Sequence, residues 1–198
     1  MKYNIKIFSD FIWPFCYVAT GIVAELKKNY EIEDNWYSFE IHPEVPPFGE
    51  ELSEIFPNTN LKRMKEMLNI SGHPYGIQFG DFTKLSNSNL AIQASEYARD
   101  MEKYHEFHEL MFKAYFTDCK DIGSMDVIDE VALKCNLNLQ ELHKRIEEKY
   151  YKERLKSIKI EAENYKINSI PTFIVNGEKK IVGAVSMDEF ERVLKDVF

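Results

Sequence analysis

The chain predicts an α/β fold carrying a large helical insertion, and three observations support this. The N-terminal stretch reads strand, helix, strand. The C-terminal stretch reads strand, strand, helix. Almost everything between them has helical spacing.

The elements follow in order. Residues 3–8 alternate apolar and polar around Tyr3, Ile5 and Ile7, the period of a strand. From Pro14 to about Asn29, Ala, Val, Ile and Leu recur at helical spacing. Pro14 suits a first turn, where no hydrogen bond is lost, and Lys27 and Lys28 suit the negative end of the helix dipole. Trp36 to Ile41 reads as the second strand, expected parallel to the first. In the middle, helices are expected over 89–103, 105–116, 125–135 and 139–165. Loops are expected around Pro43, Pro46, Pro47 and Gly49, and again from Gly72 to Gly80. Near the end, Ile170 to Gly183 holds two strands around Asn176-Gly177, a strong hairpin signal. Ser186 with Glu189 three residues on has the pattern of a helix N-cap.

Composition narrows the class. The chain has 198 residues, 44% apolar and 29% charged, enough for a core and a solvated surface. A net charge of −8 without a Lys/Arg-dense stripe argues against nucleic acid. No apolar run approaches the ~20 residues of a membrane span. Met1-Lys2-Tyr3 leads directly into the first strand with no leader pattern, so a cytoplasmic protein is expected. Three cysteines, Cys16, Cys119 and Cys135, fit a reducing compartment better than a disulfide scaffold.

Four segments carry a family resemblance: Ser9-Asp10-Phe11-Ile12-Trp13-Pro14-Phe15-Cys16-Tyr17; Phe39 to Glu44; Asn87 to Ala91 leading through Tyr97-Ala98 to 110–116; and Ile167 to Phe173 with Val182-Gly183-Ala184. In order and spacing they resemble the DsbA family, in its FrnE-like and 2-hydroxychromene-2-carboxylate isomerase branch. The resemblance implies a thioredoxin-like fold (βαβ…ββα), with residues 1–50 and 160–198 forming the thioredoxin-like domain and 51–159 an all-helical insertion domain. It also implies a thiol-disulfide oxidoreductase relative, with Cys16 as the catalytic thiol. Ile170-Pro171 stands where the family places a cis-proline beside the active-site corner. Substrate would then meet Trp13, Pro14, Phe15, Asn87, Ile170, Pro171 and Thr172.

The departure is at Trp13. FrnE-like oxidoreductases have cysteine there, and the isomerases and kappa-type glutathione transferases have serine. In a two-cysteine site the first thiol attacks and the second resolves, so this chain keeps the second, Cys16, without the first. Three functions stay open: a degenerate oxidoreductase limited to monothiol chemistry at Cys16, a glutathione-dependent isomerase or transferase, and a non-catalytic peptide-binding module. No cofactor is required, with glutathione the one small ligand implied; the partners are protein or peptide thiols and disulfides.

Individual residues carry paired readings. A helix start lowers the pKa of Cys16, whereas burial raises it. Asn87 either touches a ligand or caps the helix that follows. His42-Pro43 either lines the cleft mouth or forms a surface loop. Trp13, Phe15, Tyr17 and Ile170 are expected to gather as an apolar patch at the corner. No metal site is expected, since His105 and His108, with Glu109 nearby, lack a third ligand in the sequence.

Overall fold

The computed structural model describes residues 2–197. β1 (Lys2–Ser9) occupies the interior of a four-stranded sheet of order β2-β1-β5-β6. It pairs in parallel with β2 (Glu31–Ser38), Lys2 opposite Glu31 through Ser9 opposite Ser38. On its other side it runs antiparallel to β5 (Thr172–Val175), which pairs with β6 (Lys179–Val182). The crossover between β1 and β2 is α1 (Pro14–Leu26), whose Ala19, Ile22, Val23 and Leu26 are buried. The last helix, α9 (Met187–Lys195), buries Phe190 edge-on against Phe173 of β5, ring centroids 4.9 Å apart. Ser186 caps it, its hydroxyl accepting from the Glu189 amide.

β2 lies earlier than the expected 36–41. Glu31-Ile32-Glu33-Asp34-Asn35 looks too polar for a strand, yet as an edge it pairs on one side only, so Glu31 and Glu33 reach water while Asp34, its side chain largely covered, pairs with Lys27. Past Ser38 the Phe39 amide still donates to the Ser9 carbonyl at 2.8 Å, and the Ile41 amide then bends back to the Asp10 carboxylate at 2.8 Å.

Between β2 and β5 come α2 (Leu52–Ile55), α3 (Leu61–Gly72), α4 (Asn89–Asp100), α5 (Tyr104–Phe112), α6 (Met125–Lys134), α7 (Leu139–Glu147) and α8 (Lys152–Asn164). The segment is mainly helical but not wholly so. β3 (Glu50–Glu51) and β4 (Lys84–Leu85) form a short antiparallel pair. The helix expected over 139–165 is broken at Lys149, which takes φ +54°, and the chain turns so that Tyr151 can bury its ring and donate to Asp100 at 2.9 Å. α5 ends in a wider turn over 113–117, where the Asp118 amide reaches back to the Lys113 carbonyl. The 159/160 boundary expected between domains lies inside α8.

α4 packs on α5, α6 and α7 and carries Glu96, almost fully buried. Glu96 pairs with Arg99 on its own helix and with Arg154 of α8, while Asp100 pairs with Arg145 of α7 and Arg154. This ionic cluster links three helices. No helix among the described residues is long and apolar enough to cross a membrane.

Candidate functional site

The site forms where β1 ends and α1 begins. Trp13 is the N-cap, with extended backbone (φ −100°, ψ 113°), and its amide donates to the Asp10 carbonyl at 3.2 Å. Pro14 starts the helix, and the Cys16 amide returns to the Trp13 carbonyl at 2.9 Å. These bonds turn residue 13 outward and residue 16 inward. Trp13 is half-buried, Phe15 is 41% exposed and Cys16 is 0% exposed.

The expected catalytic role of Cys16 therefore meets an obstacle. Desolvation pushes its thiol up to about 12, outweighing the polar contacts that favour the thiolate, and the neighbouring Asp10 charge raises it further. At neutral pH Cys16 is a protonated thiol inside the core. Asp10 is itself buried: its carboxylate accepts from the Ile41 and Ile12 amides at 2.8 and 3.4 Å, and burial lifts its pKa to about 6.

Ile170, Pro171 and Thr172 approach the same corner from β5. The Ile170-Pro171 peptide bond is cis. Thr172 pairs with Phe8, so Pro171 comes next to the end of β1. Pro171 accepts from the Gly183 amide at 2.7 Å, and the Thr172 hydroxyl donates to the Ser169 carbonyl at 2.6 Å. All three residues are buried, so they underlie the corner without forming its exposed surface.

The exposed surface is a cavity of about 570 Å³ in front of the corner, walled by Trp13, Phe15, Phe56, Met64, Met67 and Leu85. Phe56 is 42% exposed and Met67 60%. Sequence reasoning anticipated the first two walls and missed those from α2 and α3. Leu61, Met64 and Leu68, spaced three and four apart, were the available signal for α3 as an amphipathic helix. The polar side chains of the lining are Thr59, Asn60, Arg63 and Ser71, with His42 at the mouth, and the Tyr115 hydroxyl is spent on the Lys84 carbonyl. The His42 ring centroid is 6.4 Å from that of Trp13, and its Nδ1 is 2.8 Å from Glu44.

Two patch members belong elsewhere. Tyr17 turns into the core, stacked on Phe112 (5.5 Å) and Phe116 (5.9 Å), and Ile170 is buried. Helical geometry explains the first: Cys16 and Tyr17 occupy the inner side of α1's first turn. Asn87 lies away from the groove. Its Nδ2 donates to the Val45 carbonyl at 2.5 Å and its Oδ1 accepts from the Asn89 amide at 3.0 Å, in the turn before α4, whose N-cap position is held by Ser88.

His105 is exposed and faces Asp34 at 3.7 Å, whereas His108 is buried among Phe11, Trp36, Tyr104 and Phe112 and held neutral by desolvation. Among the described residues no three His, Cys, Asp or Glu side chains converge on a point that could hold a metal. Cys119 is exposed, Cys135 is buried, and all three cysteines are free.

A strand-helix corner beside an X-Pro bond, on this sheet and under this helical segment, defines a thioredoxin-like architecture. The DSBA-like thioredoxin domain family matches residues 4–195, and the chain belongs to it. It is 27% identical to the protein YwbO of Bacillus subtilis over 208 residues, covering 99% of this chain and 98% of that one. Among solved structures it resembles a probable DsbA oxidoreductase from Streptomyces coelicolor, with TM-score 0.90, 15% identity, and coverage of 98% and 89%. It also resembles a 2-hydroxychromene-2-carboxylate isomerase, with TM-score 0.79, 15% identity, and coverage of 98% and 95%.

Proposed function

We propose that this DsbA-family chain recognises apolar segments of protein or peptide partners bearing thiols or disulfides, using the groove over Trp13 and Phe15, and that thiol chemistry at this corner is limited to what Cys16 allows when the corner opens. The single observation that carries the reading is the inversion at the corner: aromatic side chains face the groove where an attacking thiol would stand, and the remaining thiol faces the core. A dithiol-disulfide cycle cannot close on one cysteine. A mixed disulfide formed at Cys16 after local opening finds no partner at position 13, so its release needs an external thiol such as glutathione. Binding requires no cofactor. A cytoplasmic setting belongs to the proposal and agrees with the three free cysteines.

The test measures binding and turnover separately. A fluorescently labelled apolar peptide is expected to bind the wild type, and Phe15→Ser or Met67→Ser to weaken it at least fivefold, with Cys16→Ala near wild type. In a disulfide-reduction assay the wild type is expected to show no sustained turnover, and Trp13→Cys to acquire it. Sustained turnover by the wild type that Cys16→Ala abolishes would overturn the proposal. Saturable binding of glutathione that survives Cys16→Ala, without peptide binding, would move the chain to the glutathione-dependent isomerase or transferase reading.

A further inference from the structure

A second cavity, of about 490 Å³, opens between the residues following β2 and the face of α8, away from the Trp13–Cys16 corner. Its walls are apolar, from Phe39, Ile92 and Leu155. Its rim is cationic. Lys152, Lys156 and Lys159 stand at i, i+4 and i+7 on α8, one face of a helix, and Lys149 joins them from the turn before it. None of the four lysines is in an ion pair among the described residues, although Lys159 lies near enough to Glu40 to favour its carboxylate, whereas the side chains at 120, 134, 145 and 154 are paired. Like charges at i, i+4 destabilise a helix. In a chain of net charge −8, four unpaired lysines around one opening make a local positive field against the overall one.

The far side of the cavity is polar and already satisfied internally. Asn89 Nδ2 lies 3.3 Å from both Glu40 carboxylate oxygens, and Gln93 Nε2 donates to Asn89 Oδ1 at 2.7 Å. The half-buried Glu40 carboxylate repels a second negative end, so an occupant fits best with its charge at one end only. The volume lies within the range of small-molecule sites.

We propose that this cavity binds a small single-headed amphipathic anion, its carboxylate or phosphate held by Lys149, Lys152, Lys156 and Lys159 and its apolar body against Phe39, Ile92 and Leu155. Attraction at the rim selects the head group, and burial of the tail supplies affinity that grows with its length.

Calorimetric titration of the full chain with octyl phosphate tests this. One saturable site is expected, at least tenfold weaker for butyl phosphate and for uncharged octanol, and weaker again as NaCl rises from low to high concentration. The triple variant Lys152→Gln/Lys156→Gln/Lys159→Gln changes exposed side chains only and is expected to keep its thermal midpoint while losing at least tenfold in affinity. Arg63→Gln, in the corner groove, is expected to leave octyl phosphate affinity within twofold. No saturable binding below millimolar concentration would overturn the proposal. So would undiminished affinity in the triple variant, or loss on Arg63→Gln, which would put the ligand in the other cavity.

Discussion

At the scale of single residues, two buried groups under the corner set its chemistry. Cys16 is sealed and its thiol is pushed up to about 12, and Cys135 is also buried with a raised pKa. An aromatic disulfide reagent at pH 8 is therefore expected to label Cys119 quickly and the other two only on unfolding. Two fast thiols per chain would show that Cys16 opens readily. Asp10 gives a pH signature. Its folded pKa, about 6, exceeds the ordinary value of 3.8, so between those values the native state holds more proton than the unfolded state. Stability from this group is then greatest at low pH and declines as pH rises from about 4 through 6. The decline has an upper scale of about 3 kcal/mol, from roughly two units at 1.36 kcal/mol each. Chemical denaturation at pH 4.5 and pH 7 is expected to show it as a difference between the wild type and Asp10→Asn; parallel curves for the two would assign the effect to other groups. That position 13 carries no thiol could be read in the sequence. That position 16 is sealed could not, because helix start and burial push a thiol in opposite directions and only packing decides.

At the scale of elements, local signals and their failures are both physical. The Asn176-Gly177 turn holds φ +50° and +76°, and Asn176 also ties the hairpin to β1, its Oδ1 accepting from the Asn4 amide at 2.9 Å. Gly177→Ala is expected to cost about 1 kcal/mol, since a Cβ is penalised in the left-handed region. Ser186→Ala removes a formed cap and is expected to cost about 1 kcal/mol in the denaturation midpoint. These turns and caps were legible because their chemistry is local. The interruption at Lys149 was not, since Lys149 takes the left-handed conformation to satisfy Tyr151, whose partner Asp100 lies far away in the chain. β2 was misplaced because periodicity alone cannot tell an edge strand from a polar loop.

At the scale of the whole molecule, the ionic cluster on α4 couples the helical segment to the helix leading back to the sheet. Glu96 is 1% exposed and faces two guanidiniums, from Arg99 and Arg154. Glu96→Ala would leave those cations without their shared partner and is expected to lower stability by about 2–3 kcal/mol. Arg154→Ala is expected to cost less, because that side chain is more exposed and Arg99 still pairs with Glu96. Urea denaturation of the two variants checks the order, and a larger loss for Arg154→Ala would refute it. The same segment builds the corner groove, since Phe56, Met64 and Met67 come from α2 and α3 or the turn between them.

By itself the sequence determined the architecture and the absence of a cysteine at position 13. Strand and helix periods, a hairpin turn and a helix cap are near-neighbour chemistry, and the tryptophan at position 13 is a matter of identity. Only the tertiary structure decided what faces what: Cys16 and Tyr17 inward, Trp13 and Phe15 outward, Asn87 against the Val45 and Asn89 backbone, and four lysines around one cavity. Burial and convergence depend on contacts between residues far apart in the chain, and no local pattern encodes them.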